Sequence, residues 1–234
     1  MKKIIFKKHH AFTIVELVFV IIVVGILSAI LIPRMQSSRL YEAADQVTSH
    51  IRYTQHLAMM DDKFDPTGGD ANWFKKRWQI FFEQNDNKHW VYTIFSDDRI
   101  LGIYNGIPDY NAADAIDELA TNPQDTSKRL TGGREDIPAN IVTKALNLSR
   151  EYDINGIAFN AACNADGATR ITFDYLGRPM VRNVNGYASP YPDDRLLASQ
   201  NPDPCTITLT NGANENINIT IQSETGFVNS SVIY

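Results

Sequence analysis

The chain is poor in cysteine and lacks the common catalytic motifs. Its 234 residues include two cysteines, Cys163 and Cys205, which are too few for a four-ligand zinc site and do not form a C-x-x-C pair. There is no H-E-x-x-H, G-x-S-x-G, phosphate-binding loop or G-x-G-x-x-G motif. Acidic pairs such as Asp193-Asp194 match no calcium-binding loop. We therefore predict a protein without enzymatic activity, cofactor or metal.

Basic residues are concentrated at the start of the chain. Residues 1–11 contain four lysines and no acid, so they carry +4 of a net charge of −5, and residues 12–234 carry −9 (−5 minus +4). An acidic body argues against nucleic-acid binding, which depends on Lys and Arg neutralising phosphates. A basic tip followed at once by an apolar run is instead typical of a targeting segment. The four lysines are Lys2, Lys3, Lys7 and Lys8.

Charge is almost absent from residues 12–32, where Glu16 is the one ionisable side chain. A helix of this length spans about 30 Å, the thickness of a bilayer core, and Pro33 ends the run. Three interpretations compete: a plain transmembrane anchor, a signal peptide cut after the apolar run, and a leader cut before it. No A-x-A-like site follows the run, which argues against the signal peptide.

Glu16 distinguishes the two remaining interpretations. An ionised carboxylate inside a bilayer is unfavourable by several kcal/mol, and a plain anchor gives it no role. Cleavage between Ala11 and Phe12 would create an α-amino group four residues from Glu16. That cation, from the same helix or a neighbouring one, can neutralise the carboxylate where the dielectric constant is low.

Residues 10–17, His-Ala-Phe-Thr-Ile-Val-Glu-Leu, resemble the type IV prepilin signature, which is usually Gly-Phe-Thr-Leu-Ile-Glu-Leu. The resemblance extends over about residues 7–33. It implies cleavage by a prepilin peptidase after Ala11, N-methylation of Phe12, and an assembly role for Glu16, which would pair with the N-terminus of a neighbouring subunit. Pro33 would kink or locally melt the helix in a filament. The sequence departs from the family at Ala11, where Gly is usual.

The basic tip also predicts an orientation. Because positive residues stay on the cytoplasmic side, the N-terminus is expected in the cytoplasm and the body in the periplasm, with a single pass through the inner membrane. In that compartment Cys163 and Cys205 are expected to form a disulfide. Two buried free thiols are the alternative.

Periodicity after the apolar run predicts the fold class. Apolar or small residues recur at helical spacing up to residue 58, and β-rich runs separated by polar turns follow. We predict an α+β fold of type IV pilin kind, in which a long N-terminal helix, with a transmembrane half and an amphipathic half, packs on an antiparallel β-sheet. The helical positions are Leu40, Ala44, Val47, Ile51, Thr54 and Ala58.

The predicted domain organisation follows from these elements. Residues 1–11 form the leader, 12–33 the transmembrane helix, 34–62 the amphipathic half, and 63–234 a β-rich periplasmic domain. An insertion is expected at about 106–150, with an acidic helical piece near Asp114–Leu119.

The C-terminal third resembles the end of H-type minor pseudopilins of type II secretion and their pilus relatives. The similar segments are residues 171–179, 205–210, 219–221 and 225–228. Together with the leader, this resemblance implies a structural subunit of a pseudopilus or pilus. Its partners would be other pilin or pseudopilin subunits, the prepilin peptidase and the inner-membrane assembly platform, with no nucleic acid. The alternatives are a minor type IV pilin for DNA uptake or adhesion, and a membrane-anchored periplasmic binding protein.

Overall fold

The computed structural model describes residues 13–98, 103–134, 136–164, 167–192, 197 and 203–232, without the side chains of 29–38 and 232. The first helix, α1, spans Ile14–Met60. It ends where the Asp61 N–H donates to the Leu57 carbonyl at 2.9 Å, shortly before Pro66 and two glycines. A short helix, α2 (Leu148–Tyr152), and three 3₁₀ turns at Trp73–Lys76, Lys144–Leu146 and Val184–Gly186 complete the described helical elements.

Within the described residues, ten strands form three antiparallel sheets. In chain order they are β1 (Trp78–Gln84), β2 (Trp90–Ser96), β3 (Tyr110–Asn111), β4 (Ile116–Asp117), β5 (Ile154–Phe159), β6 (Arg170–Phe173), β7 (Pro179–Met180), β8 (Cys205–Asn211), β9 (Asn216–Ile221) and β10 (Val228–Val232). One sheet has the order β2-β1-β6-β7 and a second has the order β10-β9-β8-β5, while β3 and β4 form a separate ribbon.

The predicted fold class, one long helix on one antiparallel sheet, is wrong. The described strands do not form one sheet under the helix but are divided among three antiparallel sheets. The described side chains of α1 from Ile14 to Ser28 are exposed instead of lying on a sheet. The helical piece expected near Asp114–Leu119 is also wrong, since β4 lies there. Alternation of side chains identifies a strand but not its partner, and the pairing of Gln79 with Thr172 joins segments far apart in sequence.

The core lies where the later part of α1 meets both four-stranded sheets. The inner face of α1 carries buried apolar side chains at helical spacing. The helix contacts β1 and β6 of one sheet and β8, β9 and β10 of the other. The sheets contribute alternate residues of their strands, such as Ile207 and Leu209 of β8. The buried apolar residues of the helix are Leu40, Ala43, Ala44, Val47, Ile51 and Ala58.

A disulfide closes the second sheet, as the sequence predicted for an exported domain. It joins Cys163, in the turn after β5, to Cys205 at the start of β8, and both side chains are fully buried. Both cysteines belong to the core cluster. The bond links the turn after the edge strand β5 to the inner strand β8.

We expect the double variant C163S/C205S to lose about 4 kcal/mol of unfolding free energy. The disulfide closes a loop across a separation of 42 residues and so lowers the conformational entropy of the unfolded chain, and the variant loses that constraint. Urea titration of the full chain in detergent, followed by tryptophan fluorescence, measures the loss. The wild-type chain titrated with reductant is the control and should match the variant. A loss below about 1 kcal/mol would contradict this account of the bond.

Candidate assembly surface

The first described part of α1, from Ile14 to Leu27, is apolar on every side and exposed on every side. Its large apolar residues range from 37% exposed at Val23 to 82% at Ile14. A helix that is apolar all round is normally buried, either in a large core or in a membrane. The described residues of the β-domain cover none of these side chains, so the stretch presents a continuous apolar surface. We call residues 14–27 the apolar stretch.

Glu16 lies at the beginning of the apolar stretch and caps the helix. Its Oε2 accepts hydrogen bonds from the backbone N–H of Thr13 at 2.8 Å and from the Thr13 hydroxyl at 2.9 Å. The Thr13 Oγ1 in turn accepts from the Glu16 N–H at 3.2 Å, which completes a capping box. The carboxylate also faces the positive end of the helix dipole. The one charge of the stretch is therefore fixed at its first turn.

The remaining predicted site residues divide between described and undescribed positions. Cys163 and Cys205 are joined in the disulfide. Ala11 and Phe12, the predicted cleavage and methylation site, lie outside the described residues. Pro33 falls within the bounds of α1, but its side chain is also outside the described part.

Two features are absent from the described residues. No helix there is both long and apolar enough to qualify as a membrane span. Nor does that part of the chain bring three or more His, Cys, Asp or Glu side chains together as ligands for a metal ion. Asp193 and Asp194 lie outside the described residues.

A hydrogen-bonded network joins the packed part of α1 to the β-domain. Within it, His50 Nδ1 lies 2.7 Å from the hydroxyl oxygen of the fully buried Tyr92 on β2. The Gln46 amide donates to the same hydroxyl at 3.2 Å and to the Ala145 carbonyl at 2.8 Å. The Tyr152 hydroxyl of α2 donates to Gln46 Oε1 at 2.7 Å. Burial lowers the pKa of His50 to about 4, because the charged imidazolium would lose its water.

A second set of contacts holds the end of α1 to two turns. The Gln55 amide donates to the carbonyls of Gly177 at 2.7 Å and Thr225 at 3.0 Å. A Cβ at Gly226 would lie 2.5 Å from the Gly177 carbonyl, so the two turns pack as closely as glycine permits. The packed part of α1 is thus joined to the β-domain along its length, and the apolar stretch extends from that rigid base.

No sequence pattern linked Gln46, His50, Tyr92 and Gln55 as residues that join the helix to the β-domain. Tyr92 follows Gln46 by 46 residues and Gly177 follows Gln55 by 122. No local pattern links positions so far apart, and only the tertiary fold brings them together.

Comparison of the chain with protein-family models, curated proteins and solved structures finds no match. Any functional assignment therefore depends on the chain's own residues and geometry.

We expect the His50 network to make stability dependent on pH. The imidazole pKa is about 4 in the folded chain and near 6.5 when unfolded, so the unfolded state takes up the proton first as pH falls. The stabilisation is complete above about pH 6.5 and is lost progressively towards pH 4, by about 3 kcal/mol.

Urea titrations of the wild-type chain and of His50→Gln at several pH values test this. The difference between the two curves isolates the imidazole from other titrating groups. The control is His56→Gln, on an exposed position of the same helix. If the unfolding free energies of the wild-type chain and of His50→Gln change equally from pH 7 to pH 4, burial in the network does not disfavour the charged imidazole.

Proposed function

We propose that this chain is a non-enzymatic structural subunit, a minor pseudopilin of a type II secretion pseudopilus or a minor subunit of a type IV pilus. The observation that supports the proposal best is the apolar stretch, exposed all round and continuous with a helix held in a disulfide-closed β-domain. A filament that bundles such helices would supply the missing cover. The prepilin-like residues 10–17 agree with this interpretation.

In the proposed cycle, membrane lipid and then neighbouring helices surround the same apolar stretch. Lipid of the inner membrane surrounds residues 12–32 after the prepilin peptidase has cut at Ala11 and the amine of Phe12 has been methylated. Neighbouring helices then replace the lipid when subunits stack on the assembly platform. The β-domains form the outer surface in the periplasm, where a disulfide such as Cys163–Cys205 persists.

Glu16 supplies the register of the helix bundle in this proposal. Unpaired, its carboxylate would be costly in an apolar bundle, and the amine of a neighbouring Phe12 would compensate the charge. An incorrect register would leave both ions without partners, so only one axial position is favourable. The capping box orients the carboxylate at the N-terminal end of the helix, where such an amine would arrive.

We expect Glu16→Ala to reduce assembly or secretion at least tenfold. A tenfold change corresponds to about 1.4 kcal/mol per subunit, and leaving one ion of a buried pair without its partner costs more than that. Membrane insertion and folding of the β-domain should persist, as measured by fractionation and by protection of the disulfide from thiol labelling. Glu42→Ala, at an exposed position of the same helix, is the matched control. Normal assembly by Glu16→Ala would overturn the proposed register, and would favour a membrane-anchored binding protein.

The N-terminus of the mature chain gives a second, independent test. Mass spectrometry of the protein purified from membranes should find N-methyl-Phe12 as the first residue. Ala11→Glu, which places a charged side chain at the cut, should leave the full-length precursor. Any other mature start would contradict the leader assignment.

A further inference from the structure

One side of the packed part of α1 is not covered by the described β-domain. The apolar residues of this helix from Leu40 to Ala58 are buried against the two large sheets, and the opposite side of the helix is exposed. Its exposed polar residues recur at steps of three or four, as one side of a helix requires. They are Arg39, Glu42, Asp45, Ser49, Arg52 and His56.

Two ions on this side, Asp45 and Arg52, form no salt bridge within the described residues. The Arg52 guanidinium is nevertheless held in place, because its Nη2 donates to the Val228 carbonyl of β10 at 2.7 Å. A guanidinium that is fixed by one neutral acceptor keeps further N–H donors for a carboxylate. Arg52 is therefore oriented and still able to bind an acid from outside the chain.

Asp45, Arg52 and Met59 lie on one line along the helix. Each follows the previous one by seven residues, which is close to two helical turns, or about 10.5 Å along the axis. All three side chains are exposed, and Met59 is 46% exposed. We call these three residues the outer line.

The outer line is complementary to itself when a second parallel helix is displaced by two turns. Two helices contact each other along such a line, so the displaced copy sets its Asp45 beside the Arg52 of its neighbour. The same displacement sets its Arg52 beside Met59, whose thioether packs against the apolar stem of an arginine. One displacement thus satisfies both ions of the line.

Charge and geometry disfavour the other parallel arrangements. Without displacement, Asp45 would face Asp45 and Arg52 would face Arg52, and like charges repel. A displacement of ten residues would bring Glu42 level with Arg52, but residues ten apart lie about 80° apart around a helix. At two turns, Glu42 is level with the neutral Ser49 and lies beside the line of contact.

We propose that the outer line binds the outer line of a second copy of this chain, parallel to the first and displaced by two helical turns, through an ion pair between Asp45 and Arg52. The inference rests on the proposed function, which requires parallel helices because all apolar stretches enter one membrane. Each copy offers Asp45 to one neighbour and Arg52 to the next. Such a contact is heterologous and can repeat along a filament.

Charge reversal in cells tests the ion pair. Asp45→Arg places two cations together at each contact and should lower assembly or secretion at least about fivefold, and Arg52→Asp should do the same. The swap D45R/R52D restores opposite charges at the same displacement. It should assemble at least about fivefold better than Arg52→Asp, with which it shares the loss of the Val228 bond. Protection of the Cys163–Cys205 disulfide from thiol labelling checks folding.

The matched control for charge reversal is Glu42→Arg, which lies beside the outer line and should assemble as the wild-type chain does. Loss of assembly in this control would indicate another displacement and would overturn the proposal. Wild-type assembly by both single variants of the outer line, or a swap no better than Arg52→Asp, would overturn it as well.

Cross-linking of two differently tagged full-length copies tests the displacement. Ser49→Cys in one copy and His56→Cys in the other are seven residues apart, so the proposed contact brings them level, and a short bismaleimide should join them. An antiparallel pair that joins Asp45 to Arg52 would instead place Ser49 level with Thr48. Two Ser49→Cys copies should therefore not be joined. Their cross-linking, or the absence of the 49–56 product, would overturn the proposal.

The tests of the proposed function are independent of these. Glu16→Ala and the mature N-terminus report on the leader and on the apolar stretch, neither of which includes the outer line. If both results are as expected while the outer-line variants assemble normally, only the proposed contact is wrong. If the N-terminus is not Phe12, the proposed function itself is wrong.

Discussion

The packing of one face of α1 against both four-stranded sheets is the contact on which the other features depend. Small residues such as Ala43 and Ala44 let the helix approach closely, while Val47 and Ile51 fill the space between the sheets. The polar contacts of Gln46, His50 and Gln55 surround this core. Without the core, the β-strands would lose shared apolar cover, and the apolar stretch would have no fixed direction relative to the β-domain.

The helix illustrates two different solutions to burying apolar surface. From Leu40 onward, apolar residues are confined to one face, and the chain covers that face itself. From Ile14 to Leu27 they occupy every face, so no single domain could cover them without enclosing the helix. A surrounding solvent of lipid, or a bundle of like helices, meets this requirement. The proposed assembly function follows from that difference along one continuous element.

The sequence was informative wherever a local period or chemical rule applied. Helical spacing identified Leu40, Val47 and Ile51 as core, and export predicted the bond between the two cysteines. It was misleading about the sheets, because strand alternation does not encode which strands pair over long distances. The burial of Asp97 was missed for a similar reason. Asp97 stands beside Asp98 in the sequence, and only the tertiary fold removes its side chain from water.

Glu16, in the proposed filament, and Asp97, in the β-domain, face the same physical penalty, that of a carboxylate removed from water, and resolve it differently. Asp97 is fully buried inside the domain, where it accepts the Gly106 N–H and faces the guanidinium of Arg170 from the same chain. Glu16 lies at the tip of an uncovered helix, where its capping bonds to Thr13 favour the ionised form without neutralising it. An ion in that position can still gain a partner from another chain. The difference explains why Asp97 is compensated within its own domain, whereas Glu16 suits the recognition between subunits that we propose.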